Sequence, residues 1–339
     1  MIKKLRIQNF RKHSDFVLDF SDDFAVITGE NGSGKTSIIE AIYIALNGKS
    51  WRSNFQEILR DDKSGEIANW WRIDVEFNSE EKRTVKFQNE QKSFEIDEKS
   101  FSRLPAKNKK PVILFEPNDL QLLYGSPTRR RDFFDRFIAQ IEPTHQTNLN
   151  KFSRILKQRN SLLKRGTSTD ELFVWDLQFA DLAEKIIIAR EKWIAKIGEK
   201  ITEEYNKIAH QADQIAIKYS APQKSKQQVL HQLNSDFQSG WPTTKIGPQT
   251  HDIKFTINRH DAKLTASRGE NRTIIFAILA TMTELLNMEF NEKVYLIFDD
   301  LDSELDLNRK DSLYNLPIFR KNHLFATTIK SSNSTVELK

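Results

Sequence analysis

Apolar residues in the first third of the chain alternate with polar ones, which is the two-residue period of half-buried β-strands. The alternation is present at residues 5–7 and again within residues 70–94. Residues 24–28 (FAVIT) form a continuous apolar run of the kind found in buried strands. After a glycine-rich turn, apolar residues recur at helical spacing over residues 38–46, and Gly48 supplies a stop. The pattern predicts a strand, a glycine turn and a helix in succession.

The apolar period becomes helical from about residue 118. Ser126 and Pro127 suit the cap and the first turn of a helix that Pro143 ends. Two further helices are predicted over residues 148–163 and, longer, over residues 179–208. This stretch therefore reads as a helical insertion between two parts of a sheet-containing lobe.

Sheet-like alternation returns at residues 253–257, and a helix is predicted from residue 269 to residue 286. The polar residues 223–250, with scattered glycine and proline, are interpreted as a long or mobile connection. The predicted fold class is therefore α/β. The predicted organisation is a discontinuous lobe of residues 1–117 and 245–339 and a mostly helical insertion lobe of residues 118–244.

Composition narrows the class of protein. The chain of 339 residues is 38% hydrophobic and 29% charged and has no cysteine, so disulfides and thiolate metal sites are excluded and a reducing compartment is indicated. No apolar run approaches the roughly 20 residues that span a bilayer, and the basic N-terminus lacks the apolar block of a signal peptide. We expect a cytoplasmic protein. The net charge of +5 permits a polyanionic partner but does not require one.

The glycine-rich turn matches the phosphate-binding loop pattern in full. Its glycines let backbone N–H groups point at phosphate oxygens, and the following helix adds its positive dipole end. Lys35 reaches the β- and γ-phosphates, and the Thr36 hydroxyl is placed to bind Mg²⁺. The pattern predicts binding of ATP or GTP with Mg²⁺. The predicted binding residues are Gly29, Glu30, Asn31, Gly32, Ser33, Gly34, Lys35 and Thr36.

A phosphate-binding loop requires an acid at the end of a neighbouring buried strand, to hold the magnesium ion. Residues 294–298 (VYLIF) form such a strand, and Asp299 and Asp300 follow it. Asp299 is the predicted magnesium-side acid, and Asp300 is placed to orient or deprotonate the attacking water. The alternative is a pair of solvated acids in a loop.

A helix start lies between the insertion and this acidic pair. Ser267 is a ready cap, and Glu270 follows three residues later, as in a capping box. With the small residue Gly269, this helix N-terminus is a candidate anion site. An ordinary helix start is the alternative for this segment alone.

The phosphate loop, the serine-glycine helix start, the two aspartates and Ser303-Glu-Leu-Asp306 come in an order that resembles the ABC-type ATPases. Within that superfamily the chain resembles the RecF family, which is related to the heads of SMC and Rad50 proteins. The resemblance implies a mixed sheet with helices and a helical second lobe, without a long coiled coil. Further matching positions are Asn9-Phe10-Arg11, Glu40-Ala41-Ile42, Phe115-x-Pro117-x-Asp119-Leu120, Gly125-Ser-Pro-x-x-Arg-Arg131 with Asp135, Leu156-Lys-Gln-Arg-Asn160, and Gly247-Pro248 with Asp252.

The resemblance also implies a function. RecF-like proteins bind ATP, dimerise around two shared nucleotides, bind DNA in the ATP state and hydrolyse ATP slowly to release it. They act in recombinational repair and replication, with RecO and RecR, at junctions of single- and double-stranded DNA, and they help RecA to load. A nucleoid-associated cytoplasmic location is implied. The resemblance implies that Lys35 and Thr36 bind phosphate and Mg²⁺, that Asp299 binds Mg²⁺ and that Asp300 acts on the water. It also implies that Ser267 and Gly269 contact the γ-phosphate held by the partner subunit. Residues Ser303-Glu-Leu-Asp306 would line the dimer seam.

The chain departs from the family pattern at three places. It has Gln249-Thr250 where the family commonly has His-Arg, and Glu270-Asn271 where glutamine is usual. No histidine follows the predicted last strand, residues 324–328, to sense the γ-phosphate. The departures bear on the rate of hydrolysis and on the DNA contacts and leave nucleotide binding unaffected.

Two other groups of residues allow two interpretations. Arg129, Arg130 and Arg131 suit either a DNA backbone or ion pairs with the acids of their own helix, and the structural role is favoured. The three histidines His145, His251 and His260 lack metal-ligand spacing and are interpreted as ordinary surface or loop residues.

If the Ser267 signature serves a nucleotide held by another subunit, one chain contains two half-sites and an ATP-dependent homodimer follows. Turnover is predicted to be slow, because Asp300 is one methylene shorter than the glutamate of faster ABC enzymes. The alternatives are the motor subunit of an ABC transporter and a soluble P-loop kinase. No membrane partner is expected.

Overall fold

The structure, a computed structural model, describes residues 1–60, 68–210, 212–300, 316–329 and 336–338. The chain divides into two compact units, Met1–Pro117 with Thr283–Lys339, and Asn118–Met282. The first boundary lies where the sequence predicts it, but the second lies later than the predicted residue 245. The reason is that residues 252–257 pair with a strand of the second unit, as described below.

The first unit contains an antiparallel sheet of six strands, in the order β2-β1-β4-β5-β6-β7. Its inward-facing apolar residues alternate with polar ones along the strands, as the sequence predicts. The strands are β1 (Ile2–Phe10), β2 (His13–Asp19), β4 (Trp70–Phe77), β5 (Lys82–Gln88), β6 (Gln91–Ile96) and β7 (Lys99–Phe101).

The first unit also contains a parallel sheet of five strands. Its central strands are mostly apolar and are buried along their whole length, as expected of strands covered on both faces. Because all neighbours are parallel, their carboxyl ends meet at one edge. The sheet order is β14 (Val336–Leu338), β3 (Phe24–Gly29), β13 (His323–Thr328), β12 (Tyr295–Phe298) and β8 (Val112–Phe115).

Helix α1 (Lys35–Asn47) packs on strands of both sheets, and every residue except Thr36 is buried. The helix ends at Gly48, whose φ of 76° is in the left-handed region. A Cβ atom there would lie 2.8 Å from the Leu104 Cβ, so glycine is required for space as well. The short helix α8 (Pro317–Arg320) precedes β13.

The second unit is mostly helical, with a small antiparallel sheet in the order β11-β10-β9. One element contradicts the sequence interpretation, since residues 223–250 contain a helix, and a strand that the sequence analysis does not assign follows the longest helix. The helices are α2 (Pro127–Ile141), α3 (Pro143–Lys164), α4 (Thr169–Ala209), α5 (Lys226–Gln238) and α6 (Ala262–Thr265). The strands are β9 (Ile215–Ser220), β10 (Asp252–Ile257) and β11 (His260–Asp261).

Helix α7 (Arg268–Phe290) begins in the second unit and ends in the first. By length and composition it is the one described helix apolar enough to cross a membrane, with a mean hydropathy of 1.4 over its most apolar window. Within the protein, however, 72% of that window is buried. Such burial is typical of the core helix of a globular protein.

Candidate nucleotide-binding site

The phosphate loop joins β3 to α1. Gly34 caps α1 with a φ of 102°, and a Cβ atom on it would lie 2.5 Å from the His13 Nε2. Gly32 also has a positive φ, 81°. The loop therefore depends on glycine both for its backbone conformation and for the close approach of His13.

Lys35 lies inside this loop, where its Nζ donates to the carbonyl oxygens of Gly29 (2.7 Å) and Glu30 (2.8 Å). The Ser33 N–H donates to the same Glu30 carbonyl at 3.1 Å. The Ser33 hydroxyl is buried without a hydrogen-bond partner in the described part of the chain. A curled loop with a buried ammonium group and an unsatisfied hydroxyl fits a phosphate group.

Thr36, the next residue, reaches the end of β12. Its Oγ1 donates to Asp299 Oδ1 at 2.9 Å, and Thr327 Oγ1 in β13 donates to the same oxygen at 2.8 Å. The Asp300 N–H donates to Thr327 Oγ1 at 2.8 Å, and Asp300 has a positive φ of 47°. Thr36 and Asp299 are 263 residues apart in sequence. Their contact brings the phosphate loop and the two aspartates together in one site.

The parallel register explains this meeting. Ala326 pairs with both Phe298 and Val26, so the carboxyl ends of β3, β13 and β12 lie side by side. Ligands of open α/β sheets bind at this edge. Among the described residues no group of three or more histidine and acidic side chains could hold a metal. The Thr36 hydroxyl and the Asp299 carboxylate, which lie in contact here, could hold a magnesium ion together with water.

The sequence interpretation did not assign Lys12 and His13, which also contact the loop. Lys12 Nζ donates to the Gly32 carbonyl at 2.7 Å, and His13 Nε2 lies 3.3 Å from the Gly34 carbonyl. Burial lowers the pKa of His13 below its ordinary value, against the effect of the Gly34 hydrogen bond. In the sequence, the one indication of their role is that these two basic residues directly follow the Asn-Phe-Arg motif.

That motif has a structural explanation. Arg11 donates from Nε and Nη2 to the two carboxylate oxygens of Glu40, at 3.0 and 2.8 Å. Glu40 is fully buried in α1, and Ser50 donates to it as well. The pair ties the β1–β2 hairpin to the helix that carries Lys35 and Thr36.

The predicted signature residues lie in the second unit, at the start of α7. The Glu270 N–H donates to Ser267 Oγ at 3.2 Å, and the Ser267 N–H donates to Glu270 Oε2 at 2.7 Å, so the capping box is present. Ser267 is exposed. The departure at Glu270-Asn271 has a local explanation, because Glu270 closes this box and Asn271 Nδ2 donates to the Leu120 carbonyl at 2.9 Å.

Arg130 and Arg131 are buried in the second unit. Arg130 donates from Nε and Nη2 to the two oxygens of Asp252, and Arg131 donates to the His251 carbonyl. Their structural role, favoured from the sequence, is thus found, although the acid is Asp252 rather than one on their own helix. Arg129 is half-buried and donates to the Asn118 carbonyl.

The interpretation of His145 as a surface or loop residue is wrong, since it is buried in α3, whereas His251 lies outside the helices and strands but is also buried. His145 Nε2 lies 2.9 Å from Asp135 Oδ1 in α2, and His251 Nδ1 lies 2.8 Å from the Tyr219 hydroxyl. Their partners are distant in sequence, which no spacing rule detects. His260 is exposed, as predicted. The predicted seam, Ser303-Glu-Leu-Asp306, lies outside the described residues.

The phosphate loop follows β3, and Asp299 follows β12 of the same parallel sheet. This arrangement defines an ABC-type P-loop ATPase head. A family model described as an AAA domain matches residues 4–245. The curated protein of Natranaerobius thermophilus named DNA replication and repair protein RecF is 31% identical over 369 residues, covering 100% of this chain and 94% of the relative. The chain belongs to the RecF family.

Solved structures agree with this placement. A structure of the recombination mediator protein RecF with ATP, in the RecFOR pathway, has a TM-score of 0.82 at 25% identity, covering 98% of this chain and 92% of that chain. An Smc head bound to the C-winged helix domain of ScpA has the same fold, with a TM-score of 0.56 at 15% identity over 97% of this chain and 90% of that chain. The predicted fold class is confirmed.

Proposed function

We propose that this protein is an ATP-dependent DNA-binding protein of recombinational repair and replication. In the ATP state it forms a homodimer on DNA, at gaps where single and double strands meet, and it acts there with RecO- and RecR-type partners to help RecA load. The observation that carries the proposal is the contact of Thr36 with Asp299 beside the phosphate loop, in a chain of the RecF family. A cytoplasmic, nucleoid-associated location follows from this function.

The site residues have the following proposed roles. Lys35 and the loop N–H groups of residues 29–34 hold the phosphates, and Thr36 and Asp299 bind Mg²⁺. Bound Mg²⁺ would supply positive charge against the β- and γ-phosphate oxygens. Asp300 orients the water or takes its proton, and the water oxygen bonds to the γ-phosphorus as the bond to the β–γ bridging oxygen breaks. ADP and inorganic phosphate leave.

Hydrolysis in this proposal is slow and is stimulated by DNA. The Asp300 side chain is shorter than a glutamate, so it positions the water less well. Cleavage then acts as a timed release of the dimer from DNA. A DNA-independent turnover of tens per second would contradict the proposal.

The dimer follows from the distribution of the motifs. Each chain has one phosphate loop, in the first unit, and one Ser267–Gly269 helix start, in the second. We infer that Ser267 and Gly269 contact the γ-phosphate bound by the partner. An exposed serine at a helix N-terminus suits such a contact.

Two alternatives make different predictions. The motor subunit of a transporter should copurify with membranes. A soluble kinase should be active as a monomer and should be indifferent to Ser267. Most of the apolar window of α7 is buried within the protein, which argues against the transporter alternative.

The decisive experiment measures molar mass by light scattering at saturating ATP and Mg²⁺. It compares the single variant Asp300→Asn with the double variant that also carries Ser267→Arg. We expect a dimer in the first case and a monomer in the second. Ser225→Arg is the matched control, because Ser225 caps α5 in an equivalent capping box in the same unit. Persistent monomers of Asp300→Asn, even with a gapped DNA template, would exclude the proposed mechanism.

A second experiment tests the DNA preference. Binding is measured on gapped, duplex and single-stranded DNA of equal length, with and without ATP. The proposal expects ATP-dependent binding that is tightest on the gapped substrate. Equal binding with and without ATP would contradict it.

A further inference from the structure

Helix α3 has an unusual charge distribution. Its 22 residues include no aspartate or glutamate. At 3.6 residues per turn, its exposed cations fall within an arc of about 140°. We call this surface the α3 basic face, and it consists of Lys151, Arg154, Lys157, Lys164 and the following Arg165.

None of these five charged groups has an ion pair or a side-chain hydrogen bond with the described residues. The adjacent helix α4 behaves differently, since its exposed charges are of mixed sign and several of them are paired. Its pairs are Asp181 with Lys185, Glu142 with Lys192, Glu203 with Lys207, and Glu191 with Lys224. The lack of acids is therefore a property of α3 and not of the whole unit.

The five cations do not all have an internal explanation. Lys164 and Arg165 lie at the C-terminus of α3, where the helix dipole favours positive charge. Lys151, Arg154 and Lys157 lie in the interior, each three residues from the next, and like charges at this spacing repel. A surface that destabilises its own helix indicates an anionic partner.

The length of the α3 basic face and the side chains beside it indicate the class of anion that it binds. From Lys151 to Arg165 the face is about 21 Å long, at 1.5 Å per residue, which is close to six base pairs of duplex DNA at 3.4 Å per step. The other exposed residues of α3 after its first turn are uncharged and polar: Gln146, Thr147, Asn150, Ser153 and Gln158. Lysine, arginine and amide groups are the usual partners of phosphate oxygens.

We infer that the α3 basic face binds the sugar–phosphate backbone of DNA, with Lys151, Arg154 and Lys157 as its centre. The inference rests on the proposed function, since it assigns a surface to the DNA binding proposed above. It places the contact on α3 and not on the buried Arg130 and Arg131.

The test combines Lys151→Ala, Arg154→Ala and Lys157→Ala in one variant. Binding of a fluorescent duplex and a gapped duplex is measured with ATP and Mg²⁺ over a range of salt. The matched control, Lys185→Ala with Lys207→Ala and Lys224→Ala, removes three paired cations from the same unit. A second control, Lys151→Arg with Arg154→Lys and Lys157→Arg, keeps the charges.

We expect the basic-face variant to bind DNA at least about tenfold more weakly near 0.1 M salt, with a salt slope shallower by about 2 to 3. Its ATP binding should match that of the controls, which keep wild-type DNA affinity, and its unfolding midpoint should not fall below that of the wild type. Unchanged affinity and slope in the basic-face variant would overturn the assigned surface while the proposed function stands. An equal loss in the paired-cation control would overturn it too, because net charge would then explain the effect. A wild-type protein that binds no DNA with ATP would overturn both.

Discussion

The Thr327 hydroxyl connects the two aspartates that follow β12. It donates to Asp299 Oδ1 and accepts from the Asp300 N–H, both at 2.8 Å. Thr327 lies in the neighbouring strand β13, so this strand holds both the carboxylate that faces Thr36 and the left-handed turn at Asp300. One buried hydroxyl therefore supports both the proposed magnesium-binding acid and the proposed water-orienting acid.

Replacing Thr327 by valine should impair this arrangement with little change in shape. The Asp300 N–H loses its acceptor, so the free energy of unfolding should fall by about 1 to 2 kcal/mol. ATP hydrolysis should fall about tenfold, with a higher Mg²⁺ requirement. Phosphate release over a Mg²⁺ titration measures the effect. Thr327→Ser should retain activity, and Thr281→Val, which removes a buried hydroxyl from α7, should lose stability alone. Wild-type hydrolysis by Thr327→Val at every Mg²⁺ concentration would disprove the role.

The buried pair of Arg190 and Asp135 should dominate the stability of the second unit. Arg190 donates to both carboxylate oxygens, at 2.9 and 2.7 Å. Burial alone would raise the pKa of Asp135, but the hydrogen bonds from Arg190 and His145 outweigh it and lower the pKa. Arg190→Met leaves this carboxylate buried without its cation, so the free energy of unfolding should fall by about 3 to 5 kcal/mol in urea denaturation.

The matched control for Arg190→Met is Lys185→Met, which breaks the exposed pair with Asp181. Its cost should be below about 1 kcal/mol. Adding Asp135→Leu to Arg190→Met should recover part of the loss. Similar effects of the two single variants would show that burial does not set the strength of the pair.

His251 should make the protein sensitive to mild acid. Burial, with Arg190 and Arg131 nearby, lowers its pKa from 6.5 to about 4. Between these pH values the unfolded chain binds a proton that the folded chain does not, so stability is lost as pH falls from 6.5 to 4. The loss attributable to His251 should be roughly 1 to 2 kcal/mol.

His251→Asn removes the titrating group while keeping an acceptor for the Tyr219 hydroxyl. Urea denaturation at pH 7, 6 and 5 should show a weaker pH dependence in this variant. His323, whose pKa burial also lowers to about 4, accounts for part of what remains. Identical pH dependence in the variant and the wild type would refute the assignment.

Gly247 should tolerate no side chain. Its φ is 107°, and a Cβ atom would lie 2.7 Å from the Phe179 Cζ. Gly247→Ala should therefore lower the unfolding free energy by about 3 kcal/mol, from backbone strain and overlap together. Gly166→Ala is the control, because Gly166 has a φ of 70° and no atom within 4 Å of the added Cβ. It should cost roughly 1 kcal/mol. Equal costs in thermal melts would show that the ring contact is unimportant.

Local sequence patterns predict much of the nucleotide site. The glycine loop, the start of α1 at Lys35 and the Ser267 capping box are found as predicted, because each depends on residues within one turn or loop. The meeting of Thr36 with Asp299 was predictable because the motif itself implies parallel neighbouring strands. Thr327 was not predictable, since its role depends on the register between β12 and β13.

The remaining errors have physical causes. Helix α5 is polar, so its apolar periodicity is weak, although the Ser225 and Gln228 capping box was a usable signal. Strand β9 alternates at Ile215, Ile217 and Tyr219, but it has only six residues within a lobe predicted to be mostly helical, and no strand is predicted there. The second domain boundary was placed too early because β10 pairs with this overlooked strand.

The position of β3 in the parallel sheet has a consequence for biosynthesis. Its described neighbours, β13 and β14, are both near the C-terminus of the chain. At about 5 to 20 residues per second, a ribosome needs on the order of 15 to 60 s to make the residues between β3 and β13. During that interval the nascent phosphate loop lacks the parallel neighbours of β3, and the second unit is complete in sequence before β13 is made. Nucleotide affinity is thus acquired only after β13 has been made.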